Sequence, residues 1–187
     1  MEPIRSDERL GPLVDEHGEL SVEPADDEFE RFVVSVVNQQ LSTQSAAAIR
    51  DRLFDRFEVT PETVLAADED ALREVGLSSQ KISYVRNIAT AFLEDDLTRT
   101  GLEGYSDEEV LARLTEIRGV GDWTAKMYLM FVLGREDVFP VEDLGIRKGM
   151  AKLYGIDEDD RAAMVERAEA WRPYRSVAAR YLWRAVD

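Results

Sequence analysis

The sequence predicts an all-α fold of about ten short helices. Three observations lead there: apolar residues recur at three- and four-residue spacing along most of the chain, helix start and stop signals punctuate it at short intervals, and hardly any segment alternates as a strand would. "FERFVVSVVNQQ" places Phe29, Phe32, Val33, Val36 and Val37 on one stripe and reads as a buried helix. In "STQSAAAIRDRLFDRF", Ile49, Leu53 and Phe57 fall four apart. Thr60 before Pro61 is an N-cap followed by proline at the first helical position, and "DEDALREVG" stops on a glycine. Ser78 can cap "SQKISYVRNIATAFLE", whose stripe is Ile82, Val85, Ile88, Ala89 and Phe92. "SDEEVLARLTEI" opens with the capping-box pair Ser106 and Glu109. The helical spacing then continues through "DWTAKMYLMFVLG", "LGIRKGMAKLYG", "DEDDRAAMVERAEAW" and "YRSVAARYLWRAV". No repeat or Pro/Gly/Ser-rich linker divides the chain. The first 25 residues hold Pro3, Pro12 and Pro24 and could form a flexible arm, yet "LGPLV" is apolar enough to pack, so the arm is kept with the domain.

Composition narrows the chemistry. The absence of cysteine excludes disulfides, thiolate nucleophiles, iron–sulfur clusters and zinc–thiolate sites, and a single histidine, His17, in a polar stretch read as solvated loop, excludes a multi-histidine metal site. No apolar run approaches the ~18 residues that span a bilayer, and the N-terminus lacks a basic region followed by an apolar one. No membrane association and no signal peptide are therefore expected, and the expected location is the cytoplasm. The net charge of −16 argues, taken alone, against a nucleic-acid partner. Its distribution softens that: residues 1–30 carry eleven acids against two arginines, while "LGIRKGMAKLYGI" has Arg147, Lys148 and Lys152 and no acid. Only four of the 23 basic residues are lysines, a balance suited to a halophilic cytoplasm, where molar salt shortens the Debye length to about 3 Å.

Two short stretches carry candidate chemistry. In "LTEIRGVGDWTAKMYL", two helices meet at a turn whose Gly119 and Gly121 allow positive φ and close backbone approach, so that amides at the start of the second helix can point outward together. On its residues alone this is either a phosphate cradle made of backbone or a tight helix-to-helix turn. Downstream, in "DVFPVEDLGIRKG", Asp143 stands just before a helix whose positive end favours an ionised carboxylate. Aspartate is also a preferred N-cap. The two roles are compatible, and a carboxylate kept charged suits a reaction that passes through a sugar cation.

The stretch "IRGVGDWTAKMYLMFVLGREDVFPVEDLGIRKG" resembles the helix-hairpin-helix, Gly/Pro-rich loop and aspartate signature of the base-excision DNA glycosylase superfamily. The alkylated-base branch, 3-methyladenine DNA glycosylase II, is the nearer likeness, since "VVNQQLSTQSAAAI", "GLSSQKISYVRNIA" and "WRPYRSVAARYLW" are similar to it as well. The resemblance spans about residues 26–184. It implies two lobes flanking a cleft, a terminal lobe of about 1–41 and 142–187 and a central one of about 42–141 with the hairpin. By position it makes Asp143 the catalytic carboxylate, and Gly119, Val120 and Gly121 donors of phosphate-binding amides. Trp123 and Trp183 would line the base pocket, and Gln40 would fill the hole left by an extruded base, with Leu41 beside it. The carbonyls of Thr115, Ile117 and Val120 would hold a monovalent or similar cation, with no cofactor required for the chemistry. Members that also cut the strand carry a lysine just before the "TA" of the hairpin; this chain has Trp123 there and Lys126 three residues on, so no lyase activity is expected. The extra N-terminal β-domain of longer bacterial relatives is not expected either.

The implied activity is removal of a flipped-out alkylated purine from double-stranded DNA by a monomer, leaving an abasic site. Extrusion costs a few kcal/mol, least for a damaged base. A cationic base has a weakened glycosidic bond and is attracted to an aromatic face by ~0.5 to 2 kcal/mol. Ionised Asp143 would stabilise the sugar cation and orient or deprotonate water. Residue-level alternatives stay open: Trp123 shares a stripe with Met127, Met130 and Phe131 that could be core, Gln40 could serve a helix end, and Arg147 and Lys148 either touch phosphates or sit on a solvated face. At the level of function, the alternatives are a glycosylase for deaminated or oxidised bases, a non-catalytic helix-hairpin-helix DNA-binding module, and an acidic helical scaffold.

Overall fold

The computed structural model describes residues 1–186, and among them there are twelve α-helices, one 3-10 turn and no strand. In order the helices are α1 (Glu2–Arg5), α2 (Gly11–His17), α3 (Glu28–Asn38), α4 (Thr43–Arg56), α5 (Pro61–Ala66), α6 (Glu69–Glu74), α7 (Ser79–Asp95), α8 (Asp107–Thr115), α9 (Asp122–Phe131), α10 (Leu144–Tyr154), α11 (Arg161–Ala168) and α12 (Arg175–Arg184), with the 3-10 turn Glu169–Trp171 between the last two. The predicted caps are present. Thr60 accepts from Thr63 N and Ser78 from Lys81 N, and Ser106 and Glu109 form both halves of the capping box. None of the described helices is long and apolar enough to cross a membrane.

The chain groups into two units, Met1–Pro24 with Gly134–Asp187, and Ala25–Leu133. The boundaries thus lie at 24/25 and 133/134 rather than near 41 and 142. The reason is the stripe of α3: Phe29, Phe32, Val33, Val36 and Val37 are all buried, and the helix packs on α7 and α9. Phe32 lies 4.7 Å from the Tyr128 ring of α9, and Phe29 meets Phe92 of α7 edge-on at 5.3 Å. Burying such side chains stabilises by about 1.5 to 3 kcal/mol each, which ties α3 to the central helices.

In the first unit the N-terminal arm is part of the core. Ile4 and Leu10 are fully buried, Val14 nearly so, and His17 ends α2 as an exposed helical residue rather than a loop residue. The buried Asp7 carboxylate pins the arm to the C-terminal helices, accepting from Leu10 N, Arg9 N, Tyr154 Oη (2.7 Å) and Trp171 Nε1 (2.9 Å) and pairing with Arg167. Burial pushes this carboxyl up, but the donors outweigh it, Trp171 foremost, and hold it at about 2.

Candidate active site

Asp143 caps α10 from an extended backbone conformation, its Oδ1 accepting from Ile146 N at 3.0 Å. The same oxygen accepts from Trp183 Nε1 at 2.8 Å. Trp183, expected only as a pocket wall, therefore touches the carboxylate directly. The contact needs α10 and α12 to come unusually close, and two glycines allow it. A Cβ on Gly145 would lie 2.8 Å from Trp183 Cδ1 and 3.1 Å from Asp143 Oδ1; one on Gly149, a turn later, would lie 2.6 Å from the Leu182 carbonyl oxygen. Lys152, on the same face, donates to Ala185 O at 2.6 Å. The approach loop to Asp143 is fixed from α12 too. Ser176 accepts from Val138 N at 2.8 Å through its hydroxyl, and its amide donates to Glu136 O. The Asp137 carboxyl is raised by burial, yet the Arg175 guanidinium, 2.7 Å away, brings it below the ordinary carboxylate range. Arg147 turns toward the loop after α10, bonding Glu158 O and pairing with Asp159, whereas Lys148 is exposed.

The second unit holds the hairpin between α8 and α9. Gly119 sits at φ +107°, and a Cβ there would lie 2.2 Å from the Tyr84 ring, so this position demands glycine twice over. Gly121 differs from expectation: its backbone is extended (φ −99°), and nothing lies within 4 Å of where its Cβ would be. No neighbour among the described residues asks for glycine there, and the space beside it is open. Val120 is buried, and its amide donates to Ile117 O at 2.9 Å. That bond closes the turn and removes Val120 from the expected phosphate donors, leaving Gly119 and Gly121. Gly121 caps α9 without a side-chain hydrogen bond, while every other helix of this unit, α3 to α8, is capped by the side chain of Asp27, Ser42, Thr60, Asp68, Ser78 or Ser106. Trp123, at the start of α9, is half-buried, while Thr124, Met127 and Met130 are buried.

Gln40 and Leu41 form an exposed tip after α3, Gln40 at φ +55° and Leu41 39% exposed. Their support was missed from the sequence. Gln39 Nε2 donates to Gly119 O (3.0 Å) and to Thr124 Oγ1 (2.8 Å), Lys81 Nζ donates to Val37 O (2.6 Å) and Gln39 O (2.9 Å), and Asn87 Nδ2 donates to Arg118 O (2.9 Å). Burial lowers the Lys81 ammonium. Lys81, Tyr84 and Asn87 are three apart on α7, a polar face alongside the apolar stripe that could have signalled a support for the loops above it.

A hairpin whose second helix starts without a side-chain cap, followed by a loop and a carboxylate capping the next helix, is the arrangement of a helix-hairpin-helix DNA repair protein. The chain belongs to the HhH-GPD superfamily of base excision DNA repair proteins, whose family model matches residues 33–173. It is 35% identical to DNA-3-methyladenine glycosylase 1 of Schizosaccharomyces pombe over 83% of this chain and 71% of that protein. Among solved structures it is similar to the Bacillus halodurans DNA-3-methyladenine glycosidase (36% identity, TM-score 0.80, 98% of this chain and 86% of that one). It is also similar to the S. pombe 3-methyladenine DNA glycosylase in complex with abasic DNA (32% identity, TM-score 0.86, 98% and 94%).

Proposed function

We propose that this chain is a monofunctional DNA glycosylase that hydrolyses the N-glycosidic bond of flipped-out alkylated purines of the 3-methyladenine type, leaving an abasic site. The observation that carries this is the Asp143 carboxylate, held by Ile146 N and Trp183 Nε1 at the positive end of α10, in a chain similar to named 3-methyladenine glycosylases. The C1′–N bond breaks with its electron pair going to the base, so a cationic alkylated purine leaves neutral and needs no general acid. Positive charge passes to the sugar, where Asp143 stabilises it; water adds to C1′ and its proton leaves through Asp143 or solvent.

Trp123 and the ring face of Trp183 take the cationic base, Gln40 and Leu41 fill the vacated stack, and the amides of Gly119 and Gly121 hold a phosphate. The carbonyls of Thr115, Ile117 and Val120 suit a monovalent cation because they are neutral oxygens, and the Ile117 oxygen keeps a lone pair beyond its bond to Val120 N; such an ion would add positive charge for the phosphate. With tryptophan at 123 in place of the amine that strand-cutting relatives use, base release proceeds without a Schiff base. The protein acts as a monomer on damaged double-stranded DNA in the cytoplasm.

The test is Asp143→Asn, which keeps an acceptor for both hydrogen bonds and removes the charge. Release of free base from methylated duplex, followed by mass spectrometry, should fall at least about a hundredfold, in the range of a lost electrostatic stabiliser. Binding to a duplex containing an abasic-site analogue should persist. Unchanged base release would overturn the assignment, and strand scission without alkali would overturn the monofunctional part of it.

A further inference from the structure

We infer that Gln39 couples the exposed tip Gln40–Leu41 to the hairpin, so that the grip on the strand and the intrusion of the tip act as one rigid event. The inference rests on the role proposed above for the tip. A side chain that intrudes into a base stack must push against something, and a tip of two exposed residues on a frayed helix end would yield instead. Here the base of the tip is bolted down. Gln39 Nε2 bonds the carbonyl of Gly119, in the middle of the hairpin, and the hydroxyl of Thr124, in the first turn of α9, which is 2% exposed. From the other side Lys81 Nζ takes the carbonyls of Val37 and Gln39, the last turn of α3, where a cation is favoured by the helix dipole.

The junction is sharp. Gln39 ends α3 with its own amide on Val36 O, and the next residue, Gln40, turns into the left-handed region at φ +55°, uncommon for a residue other than glycine. The surrounding bonds hold that conformation, because without them an extended backbone would cost less. The hairpin end of the same linkage is equally constrained, by Tyr84 beneath Gly119 and Asn87 on Arg118 O. Tip and hairpin therefore share a platform, α7, and are linked directly through the Gln39 amide. Gln39 and Lys81 are positioning residues; neither is required to touch DNA.

The experiment compares wild type, Gln39→Leu and Lys81→Met for binding to two duplexes of one sequence, one with an abasic-site analogue and one undamaged, with thermal melts as a folding control. Loss of two neutral hydrogen bonds should lower affinity for the abasic duplex roughly tenfold in Gln39→Leu while the undamaged duplex changes by less than about twofold. Lys81→Met should move the ratio the same way, which keeps the test intact if one variant folds poorly. The decisive arm is a double-mutant cycle with the tip truncated, Gln40→Ala and Leu41→Ala together: the effect of Gln39→Leu on the ratio should then largely vanish. Equal losses on both duplexes, or an effect that persists without the tip, would overturn the coupling and leave the glycosylase assignment standing. A wild-type protein that does not prefer the abasic duplex would remove the role of the tip and the coupling together.

Discussion

Replacing Trp183 with phenylalanine removes the hydrogen bond that its indole gives to Asp143, the proposed catalytic carboxylate. The change deletes Nε1–H, which donates to Asp143 Oδ1 at 2.8 Å, and keeps an aromatic ring on the same helix. A hydrogen bond to a charged group is worth about 1.5 to 3 kcal/mol on deletion. Both partners are half-buried, so water replaces part of it, and about 1 to 2 kcal/mol remains. Ile146 N still holds the same oxygen, so the carboxylate stays near its place but loses one of its restraints. If that restraint matters mainly when charge develops on the sugar, single-turnover base release falls roughly 5- to 30-fold, while affinity for an abasic-analogue duplex changes by less than about threefold. A pure stacking role predicts the reverse, with the rate almost kept by the phenyl ring. Gly145→Ala attacks the same contact from the other helix, since its Cβ would meet Trp183 Cδ1 at 2.8 Å and Nε1 at 3.1 Å. Quench-flow or rapid acid-quench assays on a methylated duplex resolve the rates. Base release by Trp183→Phe within twofold of wild type would refute the positioning argument.

Two further outcomes follow from the hairpin and the arm. Gly119→Ala should destabilise the protein by more than about 2 kcal/mol, because φ +107° and a Cβ 2.2 Å from Tyr84 cannot both be accommodated, whereas Gly121→Ala should melt within about 1 kcal/mol of wild type yet bind DNA more weakly; equal melting of the two variants would contradict the geometry. Asp7→Asn should cost about 2 kcal/mol near neutral pH, the equivalent of holding the carboxyl at about 2 instead of 3.8. Since the folded-state value is the depressed one, this contribution is complete above about pH 4 and is lost as pH falls through about 2; denaturant melts at pH 6, 4 and 3 should show the gap between wild type and variant narrowing, and a gap that widens on acidification would count against the assignment.

The helices and their caps were legible because their signals are local: a stripe repeats within one helix, and Ser106 with Glu109 needs only three residues of context. The contacts that make the site were not. Asp143 and Trp183 meet across forty residues of sequence, and only because Gly145 and Gly149 let two helices close up; the same glycines in the sequence suggest nothing about which side chain arrives. Gln39 and Gln40 carry identical local information, and the left-handed turn at Gln40 decides that the first faces the hairpin and the second faces out. Gly119 and Gly121 look equivalent in sequence, yet the first is required by Tyr84 and the second has no described neighbour within 4 Å of its Cβ position. That last difference bears on how so acidic a chain can hold DNA. In the central unit, α3 to α8 have their N-terminal amides satisfied by a serine, threonine or aspartate side chain of the chain itself, and α9 alone begins at a bare glycine. In the other unit, α10 meets the opposite treatment, its N-terminus bonded by the Asp143 carboxylate. One helix end thus fixes an anion that belongs to the protein, and the other is the one proposed to take a phosphate of the strand. Main-chain amides and a helix dipole, unlike a lysine patch, grip a phosphate without altering the net charge of −16.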